Sequence, residues 1–175
     1  MHTNFEFKAK HANIQAAEQT LLTLSPTFMG EDHQIDTYFN VANGRLKLRE
    51  GTIEQALIFY QRTNDAAAKQ SDVTLYPHTP GSSLKAILTA SLGVKAVVDK
   101  RRRIYFVENV KFHFDTVEGL GSFVEVEAID KEGNLGLETI KAQCLHYQQL
   151  LGITDADILP ASYSDMLLAK NSSLP

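Results

Sequence analysis

The chain has 175 residues, of which 43% are hydrophobic and 22% are charged, and its formal net charge is -4 at pH 7. These values predict one globular domain over residues 1–170, followed by a short tail at 171–175, and they exclude extensive disorder. The acidic balance excludes a protein whose whole surface binds nucleic acid. The single cysteine, Cys144, excludes an intramolecular disulfide and a cysteine-based zinc site, and a small apolar helix residue is expected there.

Alternation with a period of two residues predicts eight strands along the chain. They are expected at 4–10, 33–41, 44–50, 56–63, 68–74, 95–107, 109–116 and 121–129. The dipeptides Asn43-Gly44 and Glu108-Asn109 and the segment VEGLGS are typical of hairpin turns, so the sheet is expected to be mainly antiparallel. The segments TNDAAAKQ and PHTPGSS are predicted to be loops.

Apolar residues at helical spacing predict helices at 12–24, 82–92 and 136–149 and a short helix after Ser164. Ser83 and Ser164 are the candidate N-caps for two of them. The third helix is expected to cover the sheet, or to share in a homodimer contact, through its apolar residues. Those residues are Leu137, Ile140, Leu145 and Leu150.

The predicted strands repeatedly carry charged residues on one face and apolar residues on the other. In RLKLRE, for example, Arg45, Lys47 and Arg49 share one face and oppose Leu46 and Leu48. One such strand alone would be ordinary, since antiparallel sheets often have one face packed on the core and the other exposed to solvent. If the charged faces converge, they gather nine of the seventeen basic residues, namely Lys8, Lys10, Arg45, Lys47, Arg49, Arg62, Lys69, Lys100 and Arg102.

Cations at this density repel one another unless they are neutralised, which predicts a polyanionic ligand. Carboxylates near the two ends of the strand series would meet if the sheet closes. They are Glu6, Asp115, Glu125 and Glu127. Such hard oxygen donors suit Mg²⁺ or Mn²⁺, which proteins usually bind together with water and substrate phosphates. The residues therefore favour a polyphosphate ligand with a divalent metal ion.

The N-terminal stretch MHTNFEFK has no apolar h-region, and no apolar run approaches the length of a membrane span. We therefore expect a cytoplasmic protein without a membrane partner. The run DKRRRIYF interleaves basic and aromatic residues, a pattern found in single-stranded nucleic-acid binders. Because the chain is acidic and has no second basic stretch, nucleic acid is only a distant alternative partner.

Six segments in order along the chain carry a resemblance to a known family. FEFKAK, DTYFNVANGRLKLRE, LIFYQR, AKQSD, VVDKRRRIY and FDTVEGLGSFVEVE resemble the CYTH family of triphosphate tunnel enzymes, over residues 4–130. The resemblance implies an α+β fold in which eight antiparallel strands close into a barrel, the triphosphate tunnel, with a charged interior and helices packed outside.

Two of these stretches, DTYFNVANGRLKLRE and GLGSFVEVE, resemble the class IV adenylyl cyclase branch of the family. That branch implies conversion of ATP to cyclic AMP and pyrophosphate with Mg²⁺ or Mn²⁺. The alternative is a triphosphatase that hydrolyses inorganic tripolyphosphate, thiamine triphosphate or a nucleoside triphosphate. A further alternative is a non-catalytic module that binds a nucleotide or polyphosphate.

The resemblance also implies roles for individual residues. Triphosphate-binding residues are implied at Lys8, Lys10, Arg45, Lys47, Arg62, Lys69, Lys100 and Arg102, and metal ligands at Glu6, Asp115, Glu125 and Glu127. Catalytic roles are implied for Glu6, Lys8, Lys100 and Arg102. Asn4 stands where the family's Glu-x-Glu-x-Lys motif has its first Glu, so the expected metal site lacks one negative charge. With Lys100 and Arg102 inward, we expect Arg101 and Arg103 to be solvated.

Four further residues fall on the charged faces. His113 is the only histidine among them, and a hydrogen-bonded wall residue is preferred there over a general base. Tyr38 and Tyr60 are expected to line the tunnel or contact a base, with an ordinary strand role as the alternative. Asp36 is open to the same two interpretations.

Overall fold

The computed structural model describes residues 2–11, 13–62 and 69–172, apart from the side chains of Arg62 and Lys69. The strands are β1 (His2–Lys10), β2 (Thr27–Phe39), β3 (Arg45–Gly51), β4 (Gln55–Arg62), β5 (Lys69–Pro77), β6 (Val94–Val107), β7 (Val110–Val117) and β8 (Gly121–Asp130). The helices are α1 (Ile14–Leu22), α2 (Leu84–Leu92), α3 (Leu137–Leu150) and α4 (Tyr163–Ser172). The predicted strands are all found, and the largest difference is at β2, which begins at Thr27. Most of the predicted loop TNDAAAKQ lies outside the described residues.

The sheet closes into a barrel because β1 pairs antiparallel with both β5 and β8. The order around the barrel is β1-β5-β4-β3-β2-β6-β7-β8, with antiparallel neighbours throughout. Closure leaves no sheet edge, and the alternation of side chains divides every strand between the lumen and the outer face. The predicted α+β barrel is confirmed.

Helices α1 and α3 cover the outer face of β1, β7 and β8. The outward side chains of these strands are buried and apolar, namely Phe5, Phe7, Ala9, Phe112, Phe114, Val124, Val126 and Ala128. Burying a phenylalanine side chain stabilises a fold by about 2 kcal/mol. This packed wall therefore fixes the backbone that carries the inward-facing carboxylates of β1 and β8. Among the described residues, no helix has the length and apolar character needed to cross a membrane.

The buried stripe of α3 consists of Ile140, Cys144 and Gln148. These residues recur every four positions. Of the predicted face, Ile140 is buried as expected, whereas Leu137 and Leu145 are exposed. Cys144 is fully buried, and its thiol donates a hydrogen bond to the carbonyl oxygen of Phe5 at 2.9 Å. Burial raises the pKa of this thiol to about 12. The expected small, unreactive helix residue is thus found at Cys144.

The start of α4 differs from the prediction. The helix begins at Tyr163, so the predicted cap Ser164 lies inside it. Ser162 is the capping residue, because its Oγ accepts from the amide of Asp165 at 3.2 Å and its own amide donates to the Asp165 carboxylate at 3.2 Å. Ser83 does precede α2 as predicted, but its side chain makes no capping hydrogen bond.

Helix α4 closes one end of the barrel. Tyr163 packs against inward-facing side chains in a second buried cluster, made up of Tyr38, Val98, Val117 and Phe123. The ring centroids of Tyr163 and Phe123 are 5.0 Å apart. At the other end, Leu75 faces the lumen and still keeps 50% of its surface exposed. The lumen is therefore filled at the α4 end, called the closed end below, and accessible at the opposite, open end.

The orientation of β6 agrees with the prediction, but one of its outward residues does not lie in solvent. Lys100 and Arg102 are buried in the lumen, and Arg101 is exposed. Arg103 instead reaches Glu18 on α1, where its Nε and Nη2 donate to the two carboxylate oxygens at 2.7 Å each. The Tyr105 hydroxyl donates to the same carboxylate at 2.7 Å. Glu18 therefore ties α1 to the barrel.

Replacing Glu18 with Ala should lower the free energy of unfolding by about 2 kcal/mol, because it leaves Arg103 and Tyr105 without their shared acceptor. Chemical denaturation followed by circular dichroism measures this loss. Arg101→Ala is the matched control and should change the free energy by less than about 0.5 kcal/mol. Equal effects of the two variants would contradict the role given to Glu18.

Candidate functional site

The lumen contains a cavity of about 590 Å³ that side chains from all eight strands line. Strands β3 and β6 contribute mainly cations, β2 contributes Asp36 and Tyr38, β1 and β8 contribute carboxylates, and β4 and β5 contribute mainly apolar groups. A cavity of this size is typical of a site for a small molecule. The uneven distribution of charge around it indicates how such a molecule would be oriented.

Asp36 is the centre of the cationic wall. This carboxylate is 1% exposed and accepts from Arg49 Nε and Nη2 at 2.9 Å each, from Lys47 Nζ at 2.9 Å and from Lys100 Nζ at 2.7 Å. Burial by itself would raise the pKa of Asp36, but the three cations outweigh it and hold the pKa well below its usual value. One negative charge is thus shared by three positive charges, which leaves an excess of positive charge facing the lumen.

Lys100 is the most deeply buried of these cations, with its side chain 1% exposed. Burial lowers the pKa of its ammonium group to about 7, since the attraction of Asp36 only partly offsets burial and the repulsion from Arg49, Arg102 and Lys47. The charge of Lys100 therefore depends on pH near neutrality. A bound anion would favour the charged form.

Asp115 holds Arg102 in place. Arg102 Nε donates to Asp115 Oδ1 at 2.6 Å, and the Tyr163 hydroxyl donates to Oδ2 at 2.7 Å. Arg102 Nη2 contacts both Asp115 and Glu125. Asp115 is fully buried and, unlike Glu6, Glu125 and Glu127, does not line the cavity; the Arg102 guanidinium links it to Glu125.

The carboxylate wall is built on β1 and β8. Lys8 Nζ lies 2.7 Å from Glu125, and His113 Nδ1 lies 3.2 Å from the same carboxylate. Burial lowers the pKa of His113 to about 4, so the ring is neutral at pH 7 and acts as a hydrogen-bonded wall residue. Glu127 accepts a hydrogen bond from the side-chain amide of Asn4, and Glu6 is its partner in the strand register.

The donor chemistry of this wall fits a divalent metal ion. Glu6, Glu125 and Glu127 offer carboxylate oxygens, and the side-chain carbonyl oxygen of Asn4 is buried without a hydrogen-bond partner. Mg²⁺ and Mn²⁺ prefer such oxygens. Within the described ranges, no three acidic, histidine or cysteine side chains already surround one point. Protein groups engage Glu125 and Glu127 instead.

At the open end, Glu54 is surrounded by donors from three strands. Its Oε2 accepts from Arg49 Nη1 at 2.8 Å and from Gln34 Nε2 at 2.9 Å, and its Oε1 accepts from Lys111 Nζ. Burial would raise the pKa of Glu54, but Arg49 and Lys111 outweigh this effect and lower it. Glu54 is therefore a permanent negative charge at this end.

The described side chains of β4 and β5 form an apolar wall. It consists of Ala56, Ile58, Val73, Leu75 and Pro77, with Tyr60 beside it toward the closed end. Removing apolar surface from water contributes about 25 cal/mol per Å², so an apolar or aromatic part of a ligand would bind here. The cavity thus offers a cationic wall and an apolar wall to the same molecule.

The structure places the predicted triphosphate-binding residues in three situations. Those that line the cavity are Lys8, Lys47, Lys100 and Arg102. Arg45 lies at the closed end and donates to Asp165 at 2.8 Å. Lys10 is exposed at the end of β1 and does not line the cavity, so it is left out of the candidate site. The side chains of Arg62 and Lys69 lie outside what the structure describes.

The sequence predicts Arg49 only as one of the converging cations, leaves Asp36 open between two interpretations, and predicts nothing for Glu54. Asp36 and Arg49 follow the period-two pattern of their strands, so the signal was present, although it did not distinguish a functional from a structural residue. Glu54 lies between two predicted strands, where the sequence has no periodic pattern that would show whether its side chain points into the lumen. Tyr38 and Tyr60 do line the cavity.

Comparisons with known proteins agree with the fold. The family model for the CYTH domain matches residues 2–163. Adenylate cyclase CyaB from Aeromonas hydrophila is 28% identical over 169 residues, which cover 90% of this chain and 85% of that protein.

Solved structures with the same fold include a candidate adenylate cyclase from Vibrio parahaemolyticus, with a TM-score of 0.74 at 19% identity, covering 94% of this chain and 97% of that chain. PH1012 from Pyrococcus horikoshii has a TM-score of 0.71 at 22% identity, and the match covers 94% of this chain and 98% of PH1012. HpAC1 from Hippeastrum, reported to have a dominant triphosphatase activity, has a TM-score of 0.60 at 15% identity, covering 100% and 98%. Since the family match spans all eight strands of the barrel, the chain belongs to the CYTH family.

Proposed function

We propose that the protein is a metal-dependent enzyme that converts a nucleoside triphosphate, ATP in the first instance, to a cyclic nucleotide and pyrophosphate, in the manner of class IV adenylyl cyclases. The observation that carries this proposal is the pair of unlike walls in the lumen. A nucleoside triphosphate has an anionic part for one wall and a base for the other. Inorganic tripolyphosphate has nothing to place against the apolar wall. The match to the Aeromonas hydrophila adenylate cyclase supports the same choice.

The cationic wall suits the triphosphate. Lys47, Arg49 and Lys100 share the charge of Asp36 and so retain an excess of positive charge in a buried setting. Electrostatic attraction is strong there because little water screens it. Lys8 and Arg102 extend the cationic surface toward the carboxylate wall. The phosphate groups are therefore proposed to lie between these residues.

In the proposed reaction, the 3′-hydroxyl oxygen of the ribose bonds to the α-phosphorus, and the bond from that phosphorus to the bridging oxygen of the β-phosphate breaks. The hydroxyl proton passes to solvent, and pyrophosphate leaves with the bonding electron pair. Lys100 and Arg102 stabilise the negative charge that develops on the leaving oxygens, and one such preorganised donor typically lowers the barrier by about 3 kcal/mol.

A Mg²⁺ or Mn²⁺ ion bound by Glu6, Glu125 and Glu127, with the carbonyl oxygen of Asn4, would supply further positive charge to the triphosphate oxygens. These residues orient the site from β1 and β8, whose outer faces are fixed by the packed core. Lys8 lies 2.7 Å from Glu125 and lines the cavity. Lys8 is therefore proposed to contact phosphate groups that lie beside the carboxylate wall.

A non-catalytic binding module is the second candidate function, and Asn4 is the observation that favours it. Its amide donates to Glu127, so this position contributes a neutral group where a carboxylate would add charge. A weaker metal site would leave binding intact and slow the chemistry.

Incubation of the purified protein with ATP or tripolyphosphate, each with Mg²⁺ or Mn²⁺, should yield cyclic AMP and pyrophosphate from ATP. Product chromatography measures both reactions. Lys47→Gln should lower the rate at least about tenfold, whereas the exposed Lys95→Gln is the matched control and should not. Orthophosphate release, mainly from tripolyphosphate, would instead indicate a triphosphatase. Binding of either compound without turnover would indicate the non-catalytic module.

Glu127→Gln should weaken Mn²⁺ binding at least about tenfold, because it removes a charged oxygen donor while a side-chain carbonyl can still accept from Asn4. Calorimetric titration of the metal-free protein with Mn²⁺ measures the affinity directly. Glu118→Gln, at an exposed position after β7, is the control for the loss of one charge. Unchanged Mn²⁺ affinity in Glu127→Gln would remove this residue from the proposed metal site.

The affinity of the metal-free protein for tripolyphosphate should fall as the pH rises from about 6 to about 8, because Lys100, with a pKa of about 7, loses its proton over this interval. The loss attributable to Lys100 is about tenfold by linkage. Lys100→Arg stays charged throughout and corrects for the titration of the ligand itself. Parallel pH profiles for the two proteins would contradict the role of Lys100.

A further inference from the structure

The turn between β3 and β4 places Glu54 across the open end of the lumen. The buried carboxylate of Asp32 accepts from the amides of Thr52 at 2.6 Å, Ile53 at 2.9 Å and Glu54 at 2.9 Å. A Cβ on Gly51 would lie 2.8 Å from the Asp32 carboxylate oxygens, so only glycine fits this close approach. The turn is therefore built to hold one conformation, and with it the position of Glu54.

Glu54 joins opposite sides of the lumen. Arg49 comes from β3 and Lys111 from β7, and these strands are separated around the barrel by β2 and β6. Both cations donate to the one carboxylate, and Gln34 donates to it as well. The side chain of Glu54 is 26% exposed, whereas that of Lys111 is 12% exposed. Glu54 thus covers the two cations from the solvent side.

The charge pattern along the lumen changes at this point. Deeper in the lumen, Asp36 forms ion pairs with three cations, and an excess of positive charge remains. At the open end, one carboxylate faces two cations, of which Arg49 is already shared with Asp36. On the side of β4 and β5, the residues nearest to this end are the apolar Ala56, Leu75 and Pro77, whereas His2 and Lys131 line the cavity beside β1 and β8. The two cations beside Glu54 are therefore already paired with a carboxylate before a polyphosphate reaches them.

We propose that Glu54 is a specificity-determining residue that neutralises Lys111 and holds Arg49, and so limits the number of consecutive phosphate groups the lumen holds, reserving the open end for the organic part of the substrate. The second half of this statement rests on the proposed nucleotide substrate. The length limit does not, because it concerns phosphate groups alone. A longer polyphosphate would have to bring its next phosphate against a fixed carboxylate.

The test compares tripolyphosphate and pentapolyphosphate as ligands of the metal-free protein by calorimetry. In Glu54→Gln, the preference for pentapolyphosphate over tripolyphosphate should rise at least about tenfold relative to the wild type, because Lys111 and Arg49 become available to the extra phosphates. Glu50→Gln changes the net charge equally but lies on the outer face, where Glu50 pairs with Lys85 at 2.6 Å. It should leave the ratio unchanged.

Two further variants decide the mechanism. Adding Lys111→Gln to Glu54→Gln should cancel the gain, since the freed cation is then absent. Lys111→Gln alone should change tripolyphosphate affinity less than about twofold, because Glu54 already neutralises this lysine. This single variant keeps the proposal testable even if thermal melting shows that Glu54→Gln does not fold.

Three results would overturn the proposal: an unchanged length preference in Glu54→Gln, an equal rise in Glu50→Gln, or a loss of about tenfold in tripolyphosphate affinity in Lys111→Gln. None of these measurements uses ATP, metal or turnover. A failure of the cyclase assay would therefore leave the length limit standing, and a failure of the length limit would leave the cyclase assay standing.

Discussion

The lumen depends on one electrostatic constraint, which is that cations buried inside a closed barrel need carboxylates beside them. An unpaired charge in such a place costs several kcal/mol, so a barrel lined with lysine and arginine alone would not fold. Asp36, Asp115 and Glu54 meet this requirement in three layers, from β2, β7 and the turn after β3. Each holds an arginine, and Lys47, Lys100 and Lys111 join Asp36 or Glu54 as well. The interior is therefore an ordered network before any ligand arrives.

This network affects binding in two ways. Because the guanidinium groups of Arg49 and Arg102 are held by two hydrogen bonds each to a carboxylate, little conformational entropy is lost when a phosphate approaches them. The lysines are different, since Lys8 and Lys47 each contact a carboxylate through a single ammonium group and can turn toward a ligand. The arginines thus supply a fixed frame, and the lysines supply adjustable contacts.

Much of the fold could be predicted because a barrel strand has a strict period of two, and in this chain the period separates charge from apolar surface. Lys47 could be placed in the lumen for that reason. The structure differs from the prediction in loops and turns, which have no periodic pattern, and on α3, where more than one set of apolar residues has helical spacing. Ser162 caps α4 from a loop, Glu54 points inward from a turn, and the buried stripe of α3 follows Ile140 and Cys144 while equally apolar leucines stay outside. The directions of these side chains depend on the strands and helices that pack beside them, and the local sequence does not show which elements those are.

The buried thiol of α3 has a consequence for following the protein in solution. Cys144 is the only cysteine of the chain, it is closed off beneath α3, and its pKa disfavours the reactive thiolate. An alkylating reagent can therefore reach it only when α3 separates from β1 and β8. The rate of modification then reports the opening of that helix, without any engineered label. Slowing of the reaction by a lumen ligand would show that the charged interior and the outer helix layer open as one cooperative unit.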